Sequence, residues 1–565
     1  MNKKSVVPYL FIFFNFSLVI SLSILAKSQD NNSELGTVNF PVPCSTPAAA
    51  YMQRGVALLH HMMYMNAENS FRAAIEVDQD CALGYWGVAM TFIRPIWPDT
   101  PNSAKLHEGV KLLNKAKVLS KGDKRSLAYI TATQAYFKNA STRSENQRLH
   151  SFDQGWSNVY KNFPQDLEAT SFYALAHMSY HYSEISSTSS PKKSLKEIDW
   201  AGEIVERVLT EIPDHPGAHH YIIHAYDRDG VAERALEVAR NYGKISPEIP
   251  HALHMPSHIF TRRGFWLESI AWNKRSAEAA LNYPVNNTIS GHYFHALDYL
   301  MYGYLQTAQD ENAKEIYNKL IALDNKKIQI RGATAYTSAA VPARYYLERH
   351  QWEAAAKLKF FRENDFPWDR FLQFKSIKYF ARALGAARSD DVKSAEGDLK
   401  KLRSIIDRIP SNNFGTYWQT QVNILYTAAK AWVAFKRGNE SLALIEMERS
   451  VEIELSSYKH PVTPGTVLPA IELLGDMLLE MKRPQEALTA YLLSLEKTPN
   501  RFNSLFGAGR ANELMGDKDK AMNYYQKIIE TSGLTKSNRK SLQHVTKFLA
   551  LHNDKDDFNR IKSSK

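Results

Sequence analysis

Apolar residues recur along this chain at intervals of three and four over nearly its whole length, the spacing of one buried face of an α-helix. No segment of any length alternates apolar and polar positions as a half-buried strand does. The helical pattern is interrupted at turn-like places such as Ile212-Pro213-Asp214, Ile245-Ser246-Pro247, Glu363-Asn364-Asp365 and Arg437-Gly438-Asn439. A longer period lies over the short one. Leu474-Gly475, Ala487 and Tyr491 return as Ala508-Gly509, Ala521 and Tyr525, each 34 residues on (475 to 509, 487 to 521, 491 to 525). Short turns, Lys482-Arg483-Pro484 and Gly516-Asp517, divide each unit, and Pro499 closes the first. Near the other end Tyr51, Gly55, Leu58, Ala67, Phe71 and Ala74 fit the same template, and Tyr85, Ala89 and Phe92 begin the next unit at the same interval.

Small residues on a first helix, a short turn, then Ala and an aromatic on a second helix resemble the tetratricopeptide repeat. The expectation is an all-α, right-handed superhelical solenoid of antiparallel helical hairpins, each burying its apolar face on its neighbours. Length sets a ceiling of about fifteen units, with degenerate middle units carrying longer helices or inserted loops such as Ser186 to Pro191 and His460 to Gly465. The expected organisation is an amino-terminal targeting segment (1–28), an extended stretch (29–46), one array over 47–330, a second over 331–551, and a charged tail (552–565).

Composition narrows the class. With 44% hydrophobic and 23% charged residues the chain is ordinary globular material, and two cysteines cannot fill a four-cysteine metal site. The net charge is +11, but no long Lys/Arg block reads as a nucleic-acid footprint, so no nucleic-acid partner is expected. Lys3 and Lys4, an apolar run from Tyr9 to Ala26 and a small-x-small Ala26-Lys27-Ser28 have the form of a cleavable signal peptide. The alternative is an uncleaved anchor, since about eighteen residues approaches a membrane span. No later segment is long and apolar enough to cross a bilayer. Cleavage lowers the charge to +8 and places the protein, periplasmic or secreted, in an oxidising compartment. Cys44 lies just before the first helix of the first repeat and Cys81 just after its second. An antiparallel hairpin brings those points together, so a Cys44–Cys81 disulfide is expected.

Histidine clusters more than any other reactive residue. Of 19 in the chain, His177, His181, His215, His219, His220, His224, His251, His254, His258, His292 and His295 fall within one stretch. Residues four apart share a helix face. His177 with His181, His220 with His224 and His254 with His258 have that spacing, and the last two pairs are themselves 34 residues apart. His292 continues the interval, with His295 and Asp298 beyond it. Likeness to the tetratricopeptide repeat implies that His251, His254, His258, Thr261 and Arg262, with Gly217, His220, His224, Asp227 and Arg228 in the preceding unit, line a concave peptide-binding groove. Pro256 falls inside that run, where it kinks the helix or marks a late start.

Three uses of the cluster compete. The first is a polar groove meeting a protein or peptide partner. The second is a metal site for zinc, copper or iron using His220, His224, His254, His258 and His292, with Asp227 or Asp298 orienting or completing the ligand set. The third is acid–base catalysis by histidine. No His-Glu-x-x-His, Gly-x-Ser-x-Gly or phosphate-binding loop supports a particular enzyme.

Longer stretches resemble a family of exported bacterial tetratricopeptide-repeat proteins: Cys81-Ala-Leu-Gly-Tyr-Trp-Gly-Val-Ala-Met90, His251-Ala-Leu-His-Met-Pro-Ser-His-Ile-Phe260, and Pro461-Val-Thr-Pro-Gly465 through Arg510. Arg94 stands where that family places a histidine before Pro-x-Trp. The resemblance implies the fold and no settled activity. The reading is therefore an exported binding or scaffold protein with a histidine-rich groove, the alternative being a metal-binding protein or metalloenzyme at the same place, and the oligomeric state stays open.

Overall fold

The computed structural model describes residues 34–552, except 98–99, 186–191, 412, 460–462 and 534–536. The amino-terminal segment 1–28, the inserted loop at 186–191, part of the loop at 460–465 and nearly all of the charged tail lie outside the described residues. Among the described residues every regular element is a helix, accompanied by the isolated bridges Val285 to Thr288 and Ile289 to Ile328. None of these helices is long and apolar enough to cross a membrane.

The helices pair as antiparallel hairpins: Thr46–His60 with Tyr64–Val77, Pro216–Tyr226 with Leu236–Ile245, and so on to Phe502–Leu514 with Lys518–Ser532. Most hairpin turns share one construction. A residue in the left-handed region closes the first helix, and the next N–H reaches back five residues, as in Met63 to Leu58, Phe265 to Phe260, Gln309 to Tyr304, Arg483 to Leu478 and Asp517 to Asn512, at 2.8–3.0 Å. Interlocking follows from small residues facing rings. A Cβ on Gly509 would sit 2.3 Å from the Tyr525 ring and one on Gly475 2.7 Å from that of Tyr491, so both glycines are required by close approach.

Turn positions expose a change of period. From Gly230 to Gly264 the left-handed glycine advances by the 34-residue repeat, but the next left-handed residue to close a first helix is Ala308, ten residues late. The additional chain is the bridged segment after Trp266–Leu281, around Val285 and Thr288. The first repeat is clamped by the expected Cys44–Cys81 disulfide, with Cα atoms 5.0 Å apart.

One apolar core runs from Leu35 to Phe260 and a second from Ile270 to Met477. The carboxyl-terminal hairpins fold back on the middle of the array. Trp266 Nε1 donates to the Asn500 carbonyl at 2.9 Å, and the buried Arg501 guanidinium binds Glu472 at 2.7 Å and Glu348 at 2.8 Å. Arg539 similarly holds Asp310 at 2.7 Å.

Candidate metal centre

Three consecutive first helices meet where this fold-back covers them. They are Pro216–Tyr226, a broken helix made of Pro250–His254 and Pro256–Arg263, and Gly291–Gln306. Pro256 has no N–H to donate, so it begins a new segment after Met255, whose backbone stays helical (φ −54°, ψ −37°).

The expected open groove is corrected at this point. His220 is fully buried, His254 and His258 are each 2% exposed, and His224, His251, His295, Asp227 and Asp298 are buried as well. Neighbouring hairpins stack on the three helices, and the segment after Glu440–Ser456 covers them, its Lys459 Nζ donating to Asp227 Oδ2 at 3.2 Å. A concave wall facing a peptide would need these rings in solvent.

The structure divides the histidines into two sets of three, each offering ring nitrogens within 4.8 Å of one another: His254, His258 and His295, and His220, His224 and His251. The membership differs from the sequence expectation. His292 is outside both sets, with its ring 5.3 Å from His251 and 6.5 Å from Trp97, while His251 and His295 are inside. The late turn at Ala308 is the reason. Counted back from the turn, His295 occupies the place of His251, whereas a strict 34-residue step had chosen His292. Asp298 is no ligand neighbour either, because it pairs with buried Arg344 at 2.6 Å. Arg228 turns away to Asp199, and Arg262 serves Asp227 (2.9 Å) and Asp229 (2.9 Å).

Hydrogen bonds determine the protonation of the first set. Asn273 directs its amide nitrogen to the Ser269 carbonyl at 2.7 Å, which can only accept, so its Oδ1 faces His254 Nδ1 at 2.8 Å and must receive a proton. His258 Nδ1 donates to Asp227 Oδ2 at 2.9 Å. Burial raises the Asp227 pKa, but Lys459, Arg262 and His258 outweigh it and hold the group below the usual carboxylate range. Both Nε2 atoms are then bare, and they face each other at 3.0 Å. Burial pushes the pKa of His254 well down and that of His258 down, so at neutral pH neither ring carries a second proton to relieve the contact. The Tyr299 ring lies 4.6 Å from that of His254 and 5.3 Å from that of His295, and its buried hydroxyl has no hydrogen-bond partner among the described residues.

Two further groups have ligand-like composition. His60 (2.7 Å) and His215 (3.3 Å) bind Glu168, whose pKa burial would raise but these histidines lower; His60 Nδ1 meets Tyr221 and His215 Nδ1 accepts from the Ala218 N–H. This network is self-satisfied. His177 pairs with Asp153 (2.9 Å) and Glu197 (3.3 Å), apart from the other sets. A cleft of about 130 Å³ is lined by Thr261, Gln421 and Tyr458 together with Arg262 and Lys459, the two cations that pair with Asp227.

Sequence reasoning found the histidine pairs and Asp227. It missed Asn273, which comes from the second helix of a hairpin, and Lys459, 232 residues beyond the aspartate it binds. No local pattern announces either.

A tetratricopeptide repeat family model matches residues 503–532, the hairpin of Phe502–Leu514 and Lys518–Ser532. That match covers one hairpin of the all-helical array and fits a solenoid of helical repeats. No curated protein matches it. Among solved structures, a human IFIT1 dimer with m7Gppp-AAAA is 12% identical, covering 91% of this chain and 94% of that one at a TM-score of 0.37. The tetratricopeptide domain of P58(IPK) is 12% identical over 90% of this chain and 100% of that one, at 0.21. Yeast Tom70 is 11% identical over 89% and 95%, at 0.27. Likeness at these scores carries nothing about this chain's ligand. The tetratricopeptide fold itself suggests a protein-interaction or scaffold role.

Proposed function

We propose that this protein is an exported metal-binding protein whose helical array encloses a first-row transition metal ion on His254, His258 and His295. The observation that carries the reading is the pair of unprotonated Nε2 atoms 3.0 Å apart, each forced bare by a partner on its own Nδ1. Two lone pairs at that distance repel, and a cation between them turns the repulsion into coordination. Asp227 and Asn273 then act as the outer partners that orient metal-bound imidazoles. An all-imidazole set suits zinc, copper, nickel or iron, and three protein ligands leave a position open to water or substrate. Burial argues against the same histidines meeting a peptide. The disulfide supports export to an oxidising compartment.

Metal analysis of the purified full chain tests the reading. Stoichiometric metal, or tight uptake of zinc or copper by stripped protein, is expected, and the His254→Ala/His258→Ala variant should bind one ion fewer while keeping its helical circular dichroism. Wild-type protein that neither carries nor takes up metal ends the proposal.

A further inference from the structure

We infer that the neighbouring set, His220, His224 and His251, holds a second metal ion, so that the centre is a pair of ions on three imidazoles each. The inference rests on the metal reading of the first set, but different observations carry it. His224 is 4% exposed, and neither of its ring nitrogens has a hydrogen-bond partner among the described residues. A neutral imidazole carries one donor and one acceptor, and a buried ring with both unmet needs a reason to stay polar. His251 Nδ1 is likewise unpartnered. His220 donates from Nδ1 to the His60 carbonyl at 2.6 Å, which leaves its Nε2 bare and 3.2 Å from His251 Nε2.

The backbone arranges the three rings without strain. His220 and His224 are one turn apart on Pro216–Tyr226, with ring centroids 4.8 Å apart, and His251 packs from the next hairpin 4.9 Å from His220. Two ions are needed because the six histidines do not form one group. Nitrogens lie within 4.8 Å of one another inside each set, and the sets touch only through His224 with His258, centroids 5.9 Å apart, and His251 with His254, 6.1 Å apart. Three imidazoles would leave each ion a position for water or a small anion.

The experiment strips the full chain with chelator, titrates it with zinc, and counts bound zinc after desalting in wild type, His224→Phe, His224→Ala and His258→Ala. His224→Phe keeps a ring in the space and removes both nitrogens, so a purely packing role for His224 predicts a folded protein with unchanged zinc. The expected result is one zinc fewer than wild type in both His224 variants, with the His258-dependent ion retained. Unchanged zinc in a folded His224 variant overturns the second site and leaves the first intact. Absence of zinc from the wild type overturns both. Zinc at the Glu168 or Glu197 groups adds equally to every protein and cancels in the comparison.

Discussion

Asn273 carries no charge and touches no solvent, yet it decides which nitrogen of His254 is bare. Its amide is oriented by the Ser269 carbonyl, and the proton it draws to His254 Nδ1 turns Nε2 toward His258. Replacing Asn273 with Leu frees the ring and leaves Nδ1–H unpaired. Metal affinity should fall about 10- to 100-fold, the usual cost of losing an outer partner of a ligating histidine. Competition against a chromophoric chelator measures it, and unchanged affinity would remove Asn273 from the site. Asp227 is less suited to that test. It pairs with Arg262 and Lys459 as well as orienting His258, so its removal takes a buried counter-charge from both cations and destabilises the fold for reasons unrelated to metal. The histidine pairs were legible because i, i+4 spacing is local, while Asn273 and Lys459 were not, because their relation to the histidines exists only across packed helices.

At the scale of helices and hairpins, the turn sets the register. The 34-residue step from His220 and His224 to His254 and His258 is matched by the left-handed glycines Gly230 and Gly264, although only Gly264 directly caps its helix. It fails at His292 because the bridged segment near Val285 delays the next turn to Ala308, which brings His295 forward. Helical spacing in a sequence reports which face a residue occupies, but not how much chain separates one hairpin from the next. Hairpin geometry did make the disulfide legible, since both cysteines flank one antiparallel pair. The Cys44–Cys81 bridge closes a 37-residue separation, and loop entropy assigns it about 3 to 4 kcal/mol. Denaturant unfolding of Cys44→Ser/Cys81→Ser should show a loss of that order in the first repeats. A loss below about 1 kcal/mol would mean the hairpin holds itself.

The whole molecule encloses what a simple solenoid would expose. Burial holds His61, His224, His292 and His350 at about 3 and His181 and His219 at about 4, against an ordinary 6.5. Below pH 6.5 the unfolded chain binds protons on these rings that the folded chain refuses, so their contribution is complete above that pH and is lost as pH falls through it. Glu168 and Asp227, both held low, continue the loss only below the ordinary carboxylate range. Asp298, raised by burial to about 6, and Glu454 and Asp476, raised to about 7, oppose it in part. Metal-stripped protein should therefore melt at progressively lower temperature from pH 6.5 down to 4.5, and bound metal should leave over the same range as protons compete for the imidazoles. A melting temperature that stayed level or rose on acidification would contradict the burial of the cluster.

The sequence by itself determined the helices, the hairpin repeat, the disulfide and the helix faces that carry histidine, because each depends on spacing within one or two neighbouring elements. Only the tertiary structure decided that these faces are closed, that His251 and His295 join the sets while His292 does not, and that Asn273 and Lys459 complete the surroundings. Those outcomes depend on the length of one inter-hairpin segment and on a carboxyl-terminal fold-back over the centre. Neither leaves a periodic mark, because contacts between distant segments depend on shape and charge rather than on spacing along one helix.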